Sequence, residues 1–210
     1  MLTDDLYRLK KEDVPKAVET LKDAFQDDPL WAVVFPQNPK REKALTGFFS
    51  CPVLYGLKYG KVFAISPALA GVAAWVPGKY AKMTMPRMLL CGALPQGAKM
   101  SGEPVKTLSV IGKQLEREKK KVLKNKPYVY LSIIGIGQRD QGKGYGTKLL
   151  NAIKEECARD GVSLYLETET QENVRFYEKH GFRVLQKLTL NKINLPLWQM
   201  EFAPNQAKIL

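Results

Sequence analysis

A glycine-rich turn between two apolar segments has the spacing with the clearest chemical meaning in this chain. Residues 141–146 read Gln-Gly-Lys-Gly-Tyr-Gly, with a strand-like run before them (128–136) and a helix-like run after them (147–159). Alternating glycines at a strand-to-helix turn leave backbone N–H groups uncovered by side chains, at the positive end of the helix dipole. The turn therefore predicts an anion site for the phosphate or pyrophosphate of a nucleotide-like cofactor.

Two common glycine loops fit this spacing poorly. A kinase-type P-loop has four residues between its glycines and then Gly-Lys-Ser/Thr, whereas here Lys148 follows Thr147 and the glycines alternate. The dinucleotide fingerprint is matched by Gly142 and Gly144, but Thr147 stands at its third glycine. Glu167 lies near the position of that fingerprint's acid, yet too little chain follows for a doubly wound sheet.

A third interpretation fits two separate blocks. The pattern Gln141-x-x-Gly144-x-Gly146 matches the acyl-CoA-binding signature of the GNAT superfamily, the Gcn5-related N-acetyltransferases. Residues 173–182, which read Asn-Val-Arg-Phe-Tyr-Glu-Lys-His-Gly-Phe, resemble a later segment of the same family, and residues 130–136 resemble its strand before the loop. The resemblance is specific over residues 127–190 and thinner over the N-terminal half.

The resemblance implies acetyl-CoA as co-substrate and no metal. The N–H groups of residues 142–147 would receive the pyrophosphate, and the backbone of residues 134–136 would lie beside the pantetheine arm, with an N–H near Ile136 at the thioester carbonyl. The implied cofactor-binding residues are Ile134, Gly135, Ile136, Gln141, Gly142, Lys143, Gly144, Tyr145, Gly146, Thr147, Asn173 and Tyr177.

Tyr177 matches the family's general acid, which would protonate the leaving sulfur. Asn173 lies four residues earlier, so both side chains share one face of a helix and can address one cofactor. Packing of Phe176 and Tyr177 on the sheet is the alternative interpretation.

A protonated amine needs a base, and the strand before the glycine turn has no carboxylate. Glu167, at the end of the next strand, is the candidate, with a surface or ion-paired acid as the alternative. Asp27 and Asp28 line the acceptor site or form an acidic turn. His180 is a helix-end residue or a base.

Composition limits the class of protein. The chain has 210 residues, 45% of them hydrophobic, and a net charge of +12. No apolar run reaches the ~18–20 residues that span a bilayer, and no secretory signal is visible. Three widely spaced cysteines and one histidine give no disulfide framework and no multi-histidine metal site. We expect a cytoplasmic protein that is a monomer or a homodimer and does not bind membranes.

The positive net charge favours binding to a polyanionic partner. Six Lys or Arg lie in residues 117–126, but no aromatic residue is interleaved with them, as is usual in nucleic-acid sites. This run is predicted to be the solvated end of a helix, and a phosphate-rich cofactor explains the charge without a nucleic acid.

The periodicity predicts an α/β (α+β) protein with a mixed, mostly antiparallel sheet and flanking helices. The resemblance implies the GNAT fold, in which one pair of strands in this sheet is splayed. One GNAT domain would span residues 1–210, with its acyl-CoA core at 127–190. We expect Asp13 to cap the first helix and a helix over residues 40–59 to be interrupted near Pro52 and Gly56. Residues 83–102 are expected to form either a helix followed by a mobile loop near a pocket, or a plain connection.

Three functions are compatible with these features. An N-acetyltransferase acting on a small-molecule amine is supported by both motif blocks. A non-catalytic acyl-CoA-binding or regulatory module is suggested by the absence of an obvious base. A basic nucleic-acid-binding protein is suggested only by the net charge.

Overall fold

The computed structural model describes residues 5–100, 102–124 and 126–204, and its centre is a seven-stranded sheet. The strand order is β1-β2-β3-β4-β5-β7-β6, and every neighbouring pair is antiparallel except β4 and β5. The strands are β1 (Tyr7–Arg8), β2 (Lys61–Ala64), β3 (Gly71–Pro77), β4 (Tyr128–Ile136), β5 (Ser163–Thr168), β6 (Arg183–Leu190) and β7 (Leu195–Phe202). The predicted mixed, mostly antiparallel sheet is confirmed.

Helices cover both faces of the sheet. They are α1 (Val14–Ala24), α2 (Pro29–Val34), α3 (Arg41–Tyr59), α4 (Met85–Leu90), α5 (Leu94–Gly97), α6 (Glu103–Leu123), α7 (Tyr145–Arg159) and α8 (Gln171–Lys179). Buried side chains of α1, α2 and α3 belong to a first core, and those of α7 and α8 to a second core on the other face.

The central strands are buried on both faces, which is why they read as nearly continuous apolar runs. In β3, Val72 and Ala74 belong to the first core, whereas Ala73 and Trp75 belong to the second. This division follows from the two-residue period of a strand. The sheet therefore lies between two layers of helices, with one core on each of its faces.

Strand β4 contains the irregularity that opens the sheet. Its register with β3 pairs Ile133 with Ala74 and Leu131 with Trp75, so Ser132 is an extra residue, a β-bulge. Strand β5 pairs with β4 over only three residues, up to Tyr130, and then diverges. The expected splayed pair is therefore present.

Two expectations about the N-terminal helices were wrong. Helix α3 runs unbroken through Pro52, because its middle is buried on several sides and one lost hydrogen bond does not end it. A Cβ added to Gly56 would lie 2.8 Å from Val62 Cγ2, so this glycine allows close packing and does not break the helix. The Asp13 side chain does not cap α1; its carboxylate accepts hydrogen bonds from Tyr7 Oη (2.9 Å) and Lys10 N (2.8 Å).

Candidate functional site

The glycine turn presents bare backbone in front of α7. Gly142 and Gly144 have φ angles of +77° and +78°, which side chains rarely adopt, and a Cβ at either would have no neighbour within 4 Å. Within the part of the chain that the structure describes, the amide N–H groups of residues 142–147 donate to no backbone or side-chain acceptor. The first bonded amide is that of Lys148, which donates to Gly144 O at 3.0 Å. Six free donors therefore face open space at a helix N-terminus.

The polar side chains of the turn are engaged nearby. Gln141 Nε2 donates to Ile136 O at 3.2 Å, which ties the turn back to the end of β4. Lys143 Nζ lies 2.6 Å from Asp140 Oδ1, and this hydrogen bond raises the pKa of the lysine. Backbone amides, more than a free lysine charge, therefore make the anion site.

The edge of β4 that faces the splay has free backbone groups. Gly137 N donates to Ala70 O at 3.0 Å, on the β3 side. Because hydrogen-bonding direction alternates along a strand, the N–H groups of Ile134 and Ile136 point the other way, towards β5. Strand β5 has already diverged there. The N–H groups of Ile134 and Ile136 thus lie without a neighbouring strand between the splay and the glycine turn.

Helix α8, which carries Asn173 and Tyr177, lies against the N-terminal end of α7. Thr170 Oγ1 accepts a hydrogen bond from Asn173 N at 3.2 Å and so caps the helix. A Cβ at Gly146 would lie 3.5 Å from Phe176 Cζ, so α8 touches the first turn of α7. Tyr177 is 8% exposed and its ring packs on Phe182. Burial, and then the charge of Glu169, raises the pKa of Tyr177, so its hydroxyl stays protonated.

His180 connects the two helices. Its Nδ1 lies 2.7 Å from Phe176 O, and its Nε2 lies 3.0 Å from Thr147 Oγ1. A ring nitrogen this close to a carbonyl oxygen must carry the proton, so in the neutral ring Nε2 accepts from the Thr147 hydroxyl. With both nitrogens engaged, His180 holds α8 to α7.

Both carboxylate oxygens of Glu167 are engaged. Tyr130 Oη donates to Oε2 at 2.7 Å, and Tyr165 Oη donates to Oε1 at 2.8 Å. Burial, and then the charge of Glu167, raises the pKa of both tyrosines, so they remain donors. Both oxygens of Glu167 are therefore occupied by tyrosine hydroxyls.

Glu169 is the site residue that the sequence reasoning missed. It lies just beyond β5, is partly exposed, and follows Glu167 at the two-residue spacing of one strand face. Burial, followed by the charges of Asp28 and Glu167, raises the pKa of Glu169 well above its ordinary value. That spacing is the signal that would have found it.

Asp28 joins this acidic group from the N-terminal half. Its Oδ1 accepts hydrogen bonds from Leu30 N (2.9 Å) and Trp31 N (3.4 Å), so it caps α2, and burial raises its pKa. The structure thus brings Asp28 and Glu167 into one acidic region, at the point where β4 and β5 separate.

Two buried polar side chains beside this region lack partners. Gln199 is completely buried and lies opposite Glu167 in the β5–β7 register. Neither of its amide atoms, nor Ser132 Oγ in the β4 bulge, has a hydrogen-bond partner among the described residues. Such groups are rare in proteins, because each costs about 1–3 kcal/mol unless a water or ligand satisfies it.

A separate cavity lies at the other end of the sheet. A cavity of about 550 Å³ there is lined by residues including Tyr59, Lys61, Lys79 and Tyr128, far from the glycine turn. Over the residues whose positions are described, no group of three His, Cys, Asp or Glu side chains is placed to hold a metal ion.

The chain resembles known proteins at the levels of sequence and fold. Residues 111–184 match a family model described as an acetyltransferase (GNAT) domain. An uncharacterized N-acetyltransferase of Schizosaccharomyces pombe, C550.08, is 29% identical over 192 residues, which are 89% of this chain and 77% of that protein.

Solved structures share the fold at low identity. An acetyltransferase of Corynebacterium glutamicum, described as histone acetyltransferase HPA2 and related acetyltransferase, has a TM-score of 0.64 at 19% identity, over 95% of this chain and 97% of that one. Arylalkylamine N-acetyltransferase 2 of Aedes aegypti has a TM-score of 0.65 at 18% identity, over 95% and 98%. A polyamine N-acetyltransferase of Drosophila melanogaster has a TM-score of 0.64 at 12% identity, over 94% and 98%.

The two motif blocks, the splayed strands and these likenesses agree with one another. Residues 111–184 match the GNAT acetyltransferase domain, and the fold around them is shared with solved acetyltransferases.

Proposed function

We propose that this protein transfers an acetyl group from acetyl-CoA to the amine of a small molecule. The observation that carries the proposal is the row of six unpaired amide N–H groups at residues 142–147, which continues into the free edge of β4. A diphosphate needs such donors, and the pantetheine amides need a strand edge. The residues present therefore fit coenzyme A, whose thioester supplies the activated acetyl group.

The protein's own groups would bind and orient this carrier. The amides of the glycine turn would hold the diphosphate, and the N–H of Ile136 would stabilise negative charge on the thioester oxygen. Asn173 is half-buried on the side of α8 that carries Tyr177, so its amide would add a hydrogen bond to the cofactor. The protonated phenol of Tyr177 would donate its proton to the departing sulfur.

We assign removal of the amine proton to Glu169 in preference to Glu167. Both carboxylate oxygens of Glu167 already accept hydrogen bonds from tyrosine hydroxyls. Burial and neighbouring charge raise the pKa of Glu169, which makes it a stronger proton acceptor than an ordinary glutamate. A raised carboxyl pKa brings the base nearer the operating pH, where general base catalysis is most effective.

The acceptor side supports a cationic amine. Asp28, Glu167 and Glu169 give this region negative charge although the whole chain carries +12. An ammonium group is attracted there before it loses its proton. Two of the structures with this fold are named as arylalkylamine and polyamine N-acetyltransferases, which are enzymes of amines. We propose that residues 1–210 act as one unit, with α1, α2 and α6 on the acceptor side.

The test combines cofactor binding with turnover. We expect calorimetry to show acetyl-CoA binding by the parent protein, and mass spectrometry to show acetylation within a panel of mono- and diamines. Gly144→Asp should abolish binding, because it places a side chain and a negative charge in front of the amides.

Gly92→Asp is the matched control. Gly92 has a similar φ of +76° and no neighbour within 4 Å of an added Cβ, so the backbone strain is comparable. It should leave acetyl-CoA binding unchanged. Absence of acetyl-CoA binding by the parent, or equal loss in both variants, would refute the proposal; binding without turnover of any amine would indicate a non-catalytic module.

A further inference from the structure

Helix α4 is apolar on its outer face as well as its inner face. Met88 and Cys91 pack against the first core. On the other side, Met85, Leu89 and Leu90 are 61%, 61% and 70% exposed. We call these three residues the α4 patch. A surface helix normally has a polar outer face, so an outward apolar face of this kind marks a contact site.

The chain segment that contains the α4 patch has charged residues of one sign only, and one of them, Lys61, forms an ion pair with Glu156 of α7. Residues 43–102 contain no Asp or Glu. The same stretch contains seven basic residues: Lys43, Lys58, Lys61, Lys79, Lys82, Arg87 and Lys99. More than half of the net charge of +12 therefore comes from fewer than a third of the residues. Lys79 and Lys82 lie in the segment that leads directly into α4.

The patch is held firmly at one end of the sheet. Tyr59 Oη donates to Arg87 O at 3.3 Å, and an Arg87 guanidinium nitrogen donates to Lys79 O (3.1 Å) and Lys82 O (3.3 Å). The segment follows the end of β3 that pairs with the start of β4, whereas the glycine turn follows the end of β4. Contact at the patch would therefore leave the cofactor side open.

Contrary to the expectation from the sequence alone, we propose that the α4 patch docks on an anionic lipid surface. Leu and Met side chains would enter the boundary between headgroups and acyl chains, and the surrounding lysines would meet anionic headgroups. No helix among the described residues is long and apolar enough to cross a bilayer, so the contact would be peripheral. This inference is independent of the acetyl-transfer reaction.

Charge and composition favour lipid over other partners. Two copies of the chain facing each other through this patch would bring two basic surfaces together, which opposes self-association. Nucleic-acid sites stack bases on exposed aromatic rings. The aromatic ring next to the patch, that of Tyr80, instead has Lys79 and Arg87 within 5.1 Å of its centroid.

The experiment is vesicle flotation of the full chain. We expect binding to vesicles of phosphatidylcholine with phosphatidylserine, little binding to phosphatidylcholine alone, and weaker binding at high salt. The triple variant Met85→Ser, Leu89→Ser, Leu90→Ser should bind about tenfold or more weakly. Lys79→Glu with Lys82→Glu should also reduce binding, because each basic residue contributes through the surface potential.

Matched controls separate the patch from general surface effects. Val105→Ser with Val110→Ser removes two other exposed apolar side chains, which are 43% and 46% exposed on α6. Lys113→Glu with Lys120→Glu makes the same charge change on α6. Both should bind as the parent does, and all variants should keep the parent's melting temperature. No binding by the parent, equal binding to neutral vesicles, or equal loss in the controls would overturn the proposal. So would a patch-dependent dimer without vesicle binding.

Discussion

The cofactor side and the acceptor side of the splayed strands are built in different ways. On the proposed cofactor side the available groups are backbone amides from one short stretch, residues 134–147. On the proposed acceptor side they are side chains from separate parts of the chain: Asp28, Tyr130, Glu169 and Gln199. Backbone recognition needs glycines and a turn, which are local, whereas side-chain recognition needs the complete fold.

The two sides also differ in charge. The glycine turn presents N–H dipoles and the end of a helix, which attract phosphate. The acceptor side gathers three carboxyl groups in a chain that is strongly basic overall. Net charge is therefore a poor guide to the substrate, because carboxyl groups gather at the splay although the chain as a whole is basic.

The largest expected effect is on the acceptor side. Glu169→Gln should lower kcat by about 10²–10⁴-fold, because it removes the group that takes the amine proton. Activity of the variant should recover partly at high pH, where the amine loses its proton to water. Glu167→Gln is the comparison and should cost less. The assignment to Glu169 fails if Glu167→Gln is the more damaging change, or if the Glu169→Gln profile keeps the parent's pH dependence.

Glu169→Gln should lower kcat but raise the stability of the folded protein at high pH. The pKa of Glu169 is raised in the folded protein, so the folded state binds this proton more tightly than the unfolded chain does. Its contribution to stability is full below the ordinary glutamate pKa and is lost as pH rises through the folded value. Glu169→Gln should therefore melt a few degrees higher than the parent near pH 8 and equally near pH 4. A lower melting temperature at pH 8 would show that the carboxylate is stabilised by a partner.

A smaller effect on kcat is expected for Tyr177, the proposed proton donor to the departing sulfur. Tyr177→Phe should lower kcat by about 10-fold to 10²-fold and leave acetyl-CoA affinity nearly unchanged. The loss is smaller than for the base because a thiolate leaves more readily than an amine loses its proton. The control is Tyr165→Phe, which removes a buried hydroxyl that bonds Glu167 instead of facing α8. An unchanged kcat in Tyr177→Phe would assign the tyrosine to packing alone.

The difference between the cofactor side and the acceptor side also explains which features could be predicted from the sequence. The glycine turn and helix α8 follow from short contiguous patterns, and the sequence analysis placed them at the right positions. The splay was expected only from the family resemblance, and it is present. It placed Asp28 only as an acidic turn or acceptor-site residue, because the capping role depends on α2. It overlooked Glu169 because a carboxyl group's pKa depends on its neighbours, which the fold brings from residue 28 as well as residue 167.

The N-terminal half shows the same limit. The sequence predicted an interruption at Pro52 from local propensity, but tertiary burial of α3 overrides the proline. Residues 83–102 form two short helices, α4 and α5, where the sequence predicted a helix with a loop or a plain connection. Their inner residues pack on α3, a contact that no local pattern encodes.

Replacing Gln199 tests whether its buried amide lowers the stability of the folded protein. Gln199→Met removes a fully buried amide without partners among the described residues and keeps the volume similar. We expect stabilisation of about 1–2 kcal/mol, measured by urea unfolding. Gln114→Met is the matched control: its amide donates to Thr189 O at 2.7 Å and accepts from Asn191 N at 3.1 Å, so this change should destabilise. Destabilisation by Gln199→Met would mean that a bound water already satisfies the amide.

The smallest expected effect lies on the cofactor side, at the His180 contact between α7 and α8. His180→Ala removes the hydrogen bonds to Thr147 and Phe176 and should cost about 1 kcal/mol of stability. Acetyl-CoA affinity should fall only about two- to fivefold, because the binding amides belong to the backbone and remain in place.

A double-mutant cycle shows whether this small effect comes from the contact itself. Thr147→Val keeps the amide N–H but removes the hydroxyl that reaches His180 Nε2. If the hydrogen bond aligns the first turn of α7, the two changes should be non-additive, since each alone breaks the same bond. Additive losses in acetyl-CoA affinity would mean that His180 and Thr147 act separately, and that α7 needs no support from α8 to present its amides.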